Sequence, residues 1–184
     1  LYPALQVRNA IDRLIKKGII AGEGARLWNE RQTELGAMTK EMRETMGKAF
    51  RGDVRSMRAC GFAYRDGRDG VTKNPEAALK WFRSAAKHDD PYAIVSIGVF
   101  YLNGTAVKSN VTEAMVWLTR AAMIGSEHAC ITIANYYAGF GLGEMQQNRG
   151  QANYWYRKSL TSSVQDSVAS SRERRDKCLA LLDQ

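Results

Sequence analysis

Two residue types in this chain could support covalent or metal chemistry, and both are scarce. Cysteine occurs at positions 60, 130 and 178, and histidine at 88 and 128. A cysteine nucleophile needs a base within hydrogen-bond reach, so Cys60 or Cys130 would have to meet His88 or His128. Cys130 and His128 stand two residues apart on one helical stretch, a spacing that points side chains in different directions. Both histidines fall at the ends of helical segments. We therefore expect no catalytic residues and no enzyme. Three widely spaced cysteines without a Cys-x-x-Cys pair also argue against a disulfide framework or a zinc site. Two histidines are too few for a histidine-rich metal centre, so neither metal nor cofactor is expected. Reduced, buried thiols are the expected state, which favours an intracellular reducing compartment.

Two stretches resemble ligand-binding motifs. GFGLGE (139–144) has the look of a phosphate-binding loop. It follows a helical pattern rather than a strand, so the required context is missing and a turn lengthened by glycine is the better reading. RERRDK (172–177), with Arg149, Arg157 and Lys158, could grip phosphates. Its own Glu–Arg pairs read as a solvated helix face, and no RNA-reading aromatic motif accompanies it.

The elements that would position such groups follow from composition and spacing. The chain has 184 residues, 45% hydrophobic and 25% charged, enough for one domain or a short repeat array. No run reaches the roughly 18 apolar residues of a membrane-spanning helix. Net charge is +8 and the pI about 9.5. That balance draws the chain toward polyanions: acidic protein partners, acidic lipid surfaces or RNA. The first residue is Leu1 rather than Met, so any targeting peptide would lie out of view; an organelle such as the mitochondrial matrix is compatible with that expectation.

A repeat is written through the middle. Trp81, Trp117 and Trp155 align, each preceded at three residues by Ala78, Ala114 or Ala152 and followed at four by Ala85, Ala121 or Ser159. Upstream lie Tyr64, Tyr101 and Tyr137, each three residues after Gly61, Gly98 or Ala134. Small residues let two helices approach, and glycine after the tyrosine (Gly67, Gly104) supplies a left-handed stop. In the third unit Phe140 takes that slot, between Gly139 and Gly141. Pro75 fits a helix start, and Asn74, Asn110 and Asn148 suit capping. Tryptophan is expected to fill the gap within each helical pair, and the Ala-Ala pair to admit the next unit. A single helix–loop–helix unit cannot bury its own apolar face, whereas three in register share a core.

The pattern AxxxxGxxYxxG, a loop, then AxxWxxxAAxxG resembles the Sel1-like repeat, a relative of the tetratricopeptide repeat. Ala93 to Gly125 is a close match. The first unit ends in Asp89 where the family has glycine, and the third departs at Ala134, Phe140 and Leu160 with a longer loop through Gln146 and Gln147. The family's loop keeps Lys73 and Lys108 here, but Asn74 and Asn110 stand where an acidic residue is usual. The resemblance implies an all-α fold: an α-α superhelix (solenoid) of three helix-turn-helix repeats with helical N- and C-terminal flanks. The units are 52–90, 91–125 and 126–161, within 52–161. Residues 1–51 read as an N-terminal helical cap. Its short first helix ends at Gly18, and a longer helix runs from Ala25 to Phe50. Residues 162–184 read as a Ser-rich linker and a C-terminal capping helix.

The resemblance implies a non-enzymatic interaction adaptor or a structural subunit of a larger complex. Its partners would be other protein subunits with acidic or amphipathic segments. An RNA-contacting subunit of an organellar ribosome or other ribonucleoprotein is the alternative that the charge raises. The concave face of such a stack is lined by first helices, where Arg55, Arg58, Arg65, Ile94, Phe100, Thr132 and Asn135 are expected to stand exposed and meet a partner. Met38, Met42 and Met46 form a stripe that is either an adaptable docking surface or, as their spacing favours, the core of the cap.

Overall fold

The computed structural model of the chain describes residues 2–139 and 148–160. Among them are nine helices and no strand: α1 (Tyr2–Lys16), α2 (Gly22–Ala37), α3 (Lys40–Phe50), α4 (Val54–Asp66), α5 (Pro75–Ala86), α6 (Pro91–Asn103), α7 (Val111–Met123), α8 (Glu127–Ala138) and α9 (Arg149–Leu160). The GFGLGE stretch beyond Gly139, the RERRDK segment, Cys178 and the expected C-terminal cap lie outside the described residues. No described helix is long and apolar enough to cross a membrane.

The helices pair as α4–α5, α6–α7 and α8–α9, and each pair starts and stops by the same devices. Asp53, Asp90 and Ser126 cap the first helices, each side chain accepting a bond from a backbone N–H three residues on. Such caps satisfy N–H groups that lack helical partners. Gly67, Gly104 and Gly139 stop those helices in the left-handed conformation. In the third unit Gly139 itself is the stop, rather than position 140. The loops then close on one repeated bond. The backbone N–H groups of Asn74, Asn110 and Asn148 donate to the carbonyls of Tyr64, Tyr101 and Tyr137 at 2.8, 2.9 and 2.9 Å. The same asparagine side chains accept from Ala77, Glu113 and Gln151 and so cap α5, α7 and α9.

The seam inside each pair corrects one sequence expectation. Tryptophan is not the side chain that fills it. Trp81, Trp117 and Trp155 are only half-buried, and the residue after each (Phe82, Leu118, Tyr156) is fully buried. Phe82 lies so close to Gly61, and Leu118 to Gly98, that an added Cβ would stand 2.5 and 2.7 Å from their side chains. Hydrophobic side chains buried this fully contribute roughly 1.5–3 kcal/mol each. Helix periodicity cannot separate neighbouring aromatic positions when both border the apolar stripe; the facing glycine decides.

Between pairs, the Ala-Ala carbonyls receive the turn. Asp90 and Ser126 donate their N–H groups to Ala85 and Ala121. Asp89 takes φ 54° where Gly125 has φ 90° one unit later, a conformation that asparagine and aspartate tolerate better than other side chains. Arg120 of α7 reaches back to bind the Asp89 carboxylate at 2.6 Å and the Ala86 carbonyl at 3.0 Å.

Consecutive first helices α4, α6 and α8 touch one another, whereas α5, α7 and α9 make at most marginal mutual contact. The first helices therefore form the tighter inner layer and the second helices the wider outer one. α3 packs on α4 as α5 does on α6 and α7 on α8, so it stands where a preceding unit's second helix would. The helix expected over 25–50 is two helices. Thr39 breaks it, its hydroxyl accepting from Met42 N–H and its own N–H donating to Asp69 in the first repeat loop at 3.0 Å. Gly70 of that loop sits against the Ala37 carbonyl, leaving no room for a side chain.

Candidate functional site

The inner face uses most of its expected contact residues internally. Arg58 of α4 donates to the Asp90 carboxylate at 3.0 Å and lies over the Tyr92 ring at 4.7 Å, tying two units together. Arg65 makes two bonds to Asp66 and stacks over Phe62; its hydrogen bond holds the Asp66 carboxyl below the usual carboxylate range. Asn135 accepts a 2.6 Å bond from the Tyr156 hydroxyl, and the Thr132 hydroxyl donates to the His128 carbonyl. Arg55 stands exposed.

Ile94 and Phe100 do not. They are 0% and 3% exposed, so the expectation that they line an open surface is corrected. α6 is the middle helix, packed by α5 and α7 and touched by α4 and α8. Phe100 meets Phe82 edge-on at 5.8 Å. The inner face also holds a hollow of about 220 Å³ whose lining includes Phe62, Tyr92, Val99 and His128.

The methionine stripe divides. Met38 and Met42 are buried in the core, while Met46 is half-buried beside a groove. That groove, about 740 Å³, runs between α3 and α5 and is lined by Met38, Met46, Phe50, Met57 and Trp81, with Lys80 at its edge. Phe50 is 75% exposed and meets Trp81 edge-on at 5.1 Å. Three methionines, two aromatic rings and a lysine can seat an apolar protein segment, since thioethers adapt to irregular shapes and aromatic rings anchor interfaces. Sequence reasoning named Met46 but passed over Phe50 and Trp81. The signal the sequence did carry was an apolar residue, Phe50, ending the helix before the first unit; that Trp81 stays half-open shows only in the packing.

The thiols stand apart from any such surface. Cys60 is 0% and Cys130 1% exposed, and both are unpaired. Burial pushes the Cys60 thiol up from 9.0 to about 11 and raises that of Cys130, the direction opposite to an activated nucleophile. Among the described residues no three His, Cys, Asp or Glu side chains gather as a metal site would require.

Comparison with known proteins agrees with the helical pairs. A family model, the Sel1 repeat, matches residues 54–90, 91–126 and 128–162. Chitin synthase regulatory factor 4 of Schizosaccharomyces pombe is 26% identical over 121 residues, 65% of this chain but only 18% of that protein's length. Among solved structures, c5321, a protective antigen of uropathogenic Escherichia coli displaying an SLR fold, is similar at TM-score 0.57 and 30% identity, over 66% of this chain and 25% of that one. A Sel1 repeat protein from Oxalobacter formigenes is similar at TM-score 0.55 and 27% identity, over 76% and 99%.

Proposed function

The chain belongs to the Sel1 repeat family, and from that premise we propose that it is a non-enzymatic adaptor or structural subunit holding other proteins together in a larger assembly. The α3–α5 groove carries the proposal. A phenyl ring left three-quarters in water at Phe50 leaves about 1–2 kcal/mol of burial unused, which a docked protein segment would recover. Three units make a small platform, suited to work inside a complex. One similar protein bears the name of a regulatory factor, which fits a non-catalytic role. The two buried, unpaired thiols suit a reducing compartment, and the mitochondrial matrix belongs to the same proposal.

A second reading, contact with RNA in an organellar ribosome or other ribonucleoprotein, draws support from the net charge of +8. One experiment separates them. A photo-crosslinking residue placed at Met46 in native extract should join the chain to one recurring protein, and Phe50→Glu should abolish that adduct. Retention on heparin or a generic RNA that falls steeply with salt, with no protein adduct, would favour the RNA reading instead.

A further inference from the structure

The outer layer of second helices carries a second apolar region, distinct from the α3–α5 groove. Val111, Met115, Val116, Met123 and Ile124 line an open hollow of about 830 Å³ along α7. Val116 is 61% and Met123 77% exposed. In the repeat register, Val116, Thr119 and Met123 of α7 correspond to Lys80, Arg83 and Lys87 at the end of the first unit. Those three cations are exposed, on the helix that precedes α7 in the outer layer; Arg83 also donates to the Tyr101 hydroxyl at 3.2 Å. On the other side, α9 presents Arg157 exposed, with Lys158 over the Trp155 ring at 4.8 Å. The acidic residues of α5 and α7, Glu76 and Glu113, sit in their first turns, and the Asp89 carboxylate after α5 is held by Arg120, which also lines the hollow.

An apolar strip between two basic flanks has a defined complement. We infer that the outer face of α7 binds an amphipathic helix of a partner protein, its apolar side on Val116 and Met123 and its acidic flanks toward α5 and α9. Helix-in-groove docking supplies burial, and the flanking charges orient the helix and favour encounter with an acidic rather than a basic one. On the inner face, by contrast, Arg58 and Arg65 are already paired with Asp90 and Asp66. The inference rests on the adaptor reading, and its apolar strip on α7 differs from the α3–α5 groove, although Lys80, one of the flanking cations, also lines that groove.

The test uses the full chain and two labelled synthetic peptides. Both carry the same Leu/Met face at helical spacing; one has glutamate flanks and the other lysine flanks. Fluorescence anisotropy should show the glutamate peptide binding at least about tenfold tighter, with an affinity that falls with salt. V116D/M123D should abolish binding with an unchanged melting temperature, and K87E/R157E, which leaves the α3–α5 groove untouched, should weaken it and flatten the salt dependence. Equal affinity for both peptides, or binding unaffected by V116D/M123D, overturns the inference. So does a photo-crosslinker at Val116 that captures residues 161–184 of the same chain or a second copy. An RNA oligonucleotide that binds through Lys80 and Lys87 and displaces the glutamate peptide also overturns it. A partner captured at Met46 alongside failure of these peptides would leave the adaptor reading standing and remove only the α7 site.

Discussion

α5 and α7 are the same helix on one side and different helices on the other. Toward their partners both present a small residue (Ala78, Ala114), a knob in a glycine notch (Phe82, Leu118) and an alanine pair (Ala85–Ala86, Ala121–Ala122), all buried. Toward solvent, Lys80 and Lys87 of the first unit stand where the second has Val116 and Met123. The repeat therefore constrains only the seam. The outer face is free to change from unit to unit, and there each helix acquires a recognition character of its own.

The sharpest way to break this division is at the seam. Phe82→Ala should cost about 3–5 kcal/mol, because it empties the space against Gly61, Phe62 and Phe100. Denaturant unfolding would read it, and Lys80→Ala two residues away should stay within about 0.5 kcal/mol. The reverse change, Gly98→Ala, places a methyl group against Leu118 and should cost about 1–3 kcal/mol by overpacking. A smaller effect tests the caps: Asn110→Ala removes the bond to the Glu113 N–H and should cost about 1 kcal/mol. Loss of more than twice that would mean the loop, rather than the cap, depends on Asn110.

The smallest expected effect concerns pH. Burial raises the folded-state Cys60 thiol from 9.0 to about 11. The unfolded chain ionises first, so the contribution of Cys60 to stability is fully present below pH 9 and is lost as pH rises toward 11. Alkylation of Cys60 and Cys130 at pH 8 should accordingly require unfolding. Rapid labelling of the folded chain would contradict their burial.

Much of this was legible in the sequence because it is local or periodic. Glycine stops, asparagine caps, the Pro75 helix start and the paired helices all follow from residue types at fixed offsets. The contacts between helices were harder to read. α6 (PYAIVSIGVFYLN) carries no charge and is apolar on nearly every side, the mark of a helix covered all round, so the burial of Ile94 and Phe100 was legible once the whole helix, rather than one face of it, was weighed. The break at Thr39 depends on the Asp69 carbonyl thirty residues on, so helical periodicity ran through it. The outer stripe of α7 was written as plainly as the seam, but an exposed valine and methionine acquire meaning only beside the equivalent lysines of the first unit.

The most direct test gives α7 the outer face of the first unit, with Val116→Lys and Met123→Lys in the full chain. The account predicts an unfolding midpoint equal to that of the parent and complete loss of binding to the glutamate-flanked helix. A destabilised variant would mean that these side chains belong to the core, and retained binding would place recognition elsewhere; either result contradicts the division between seam and face.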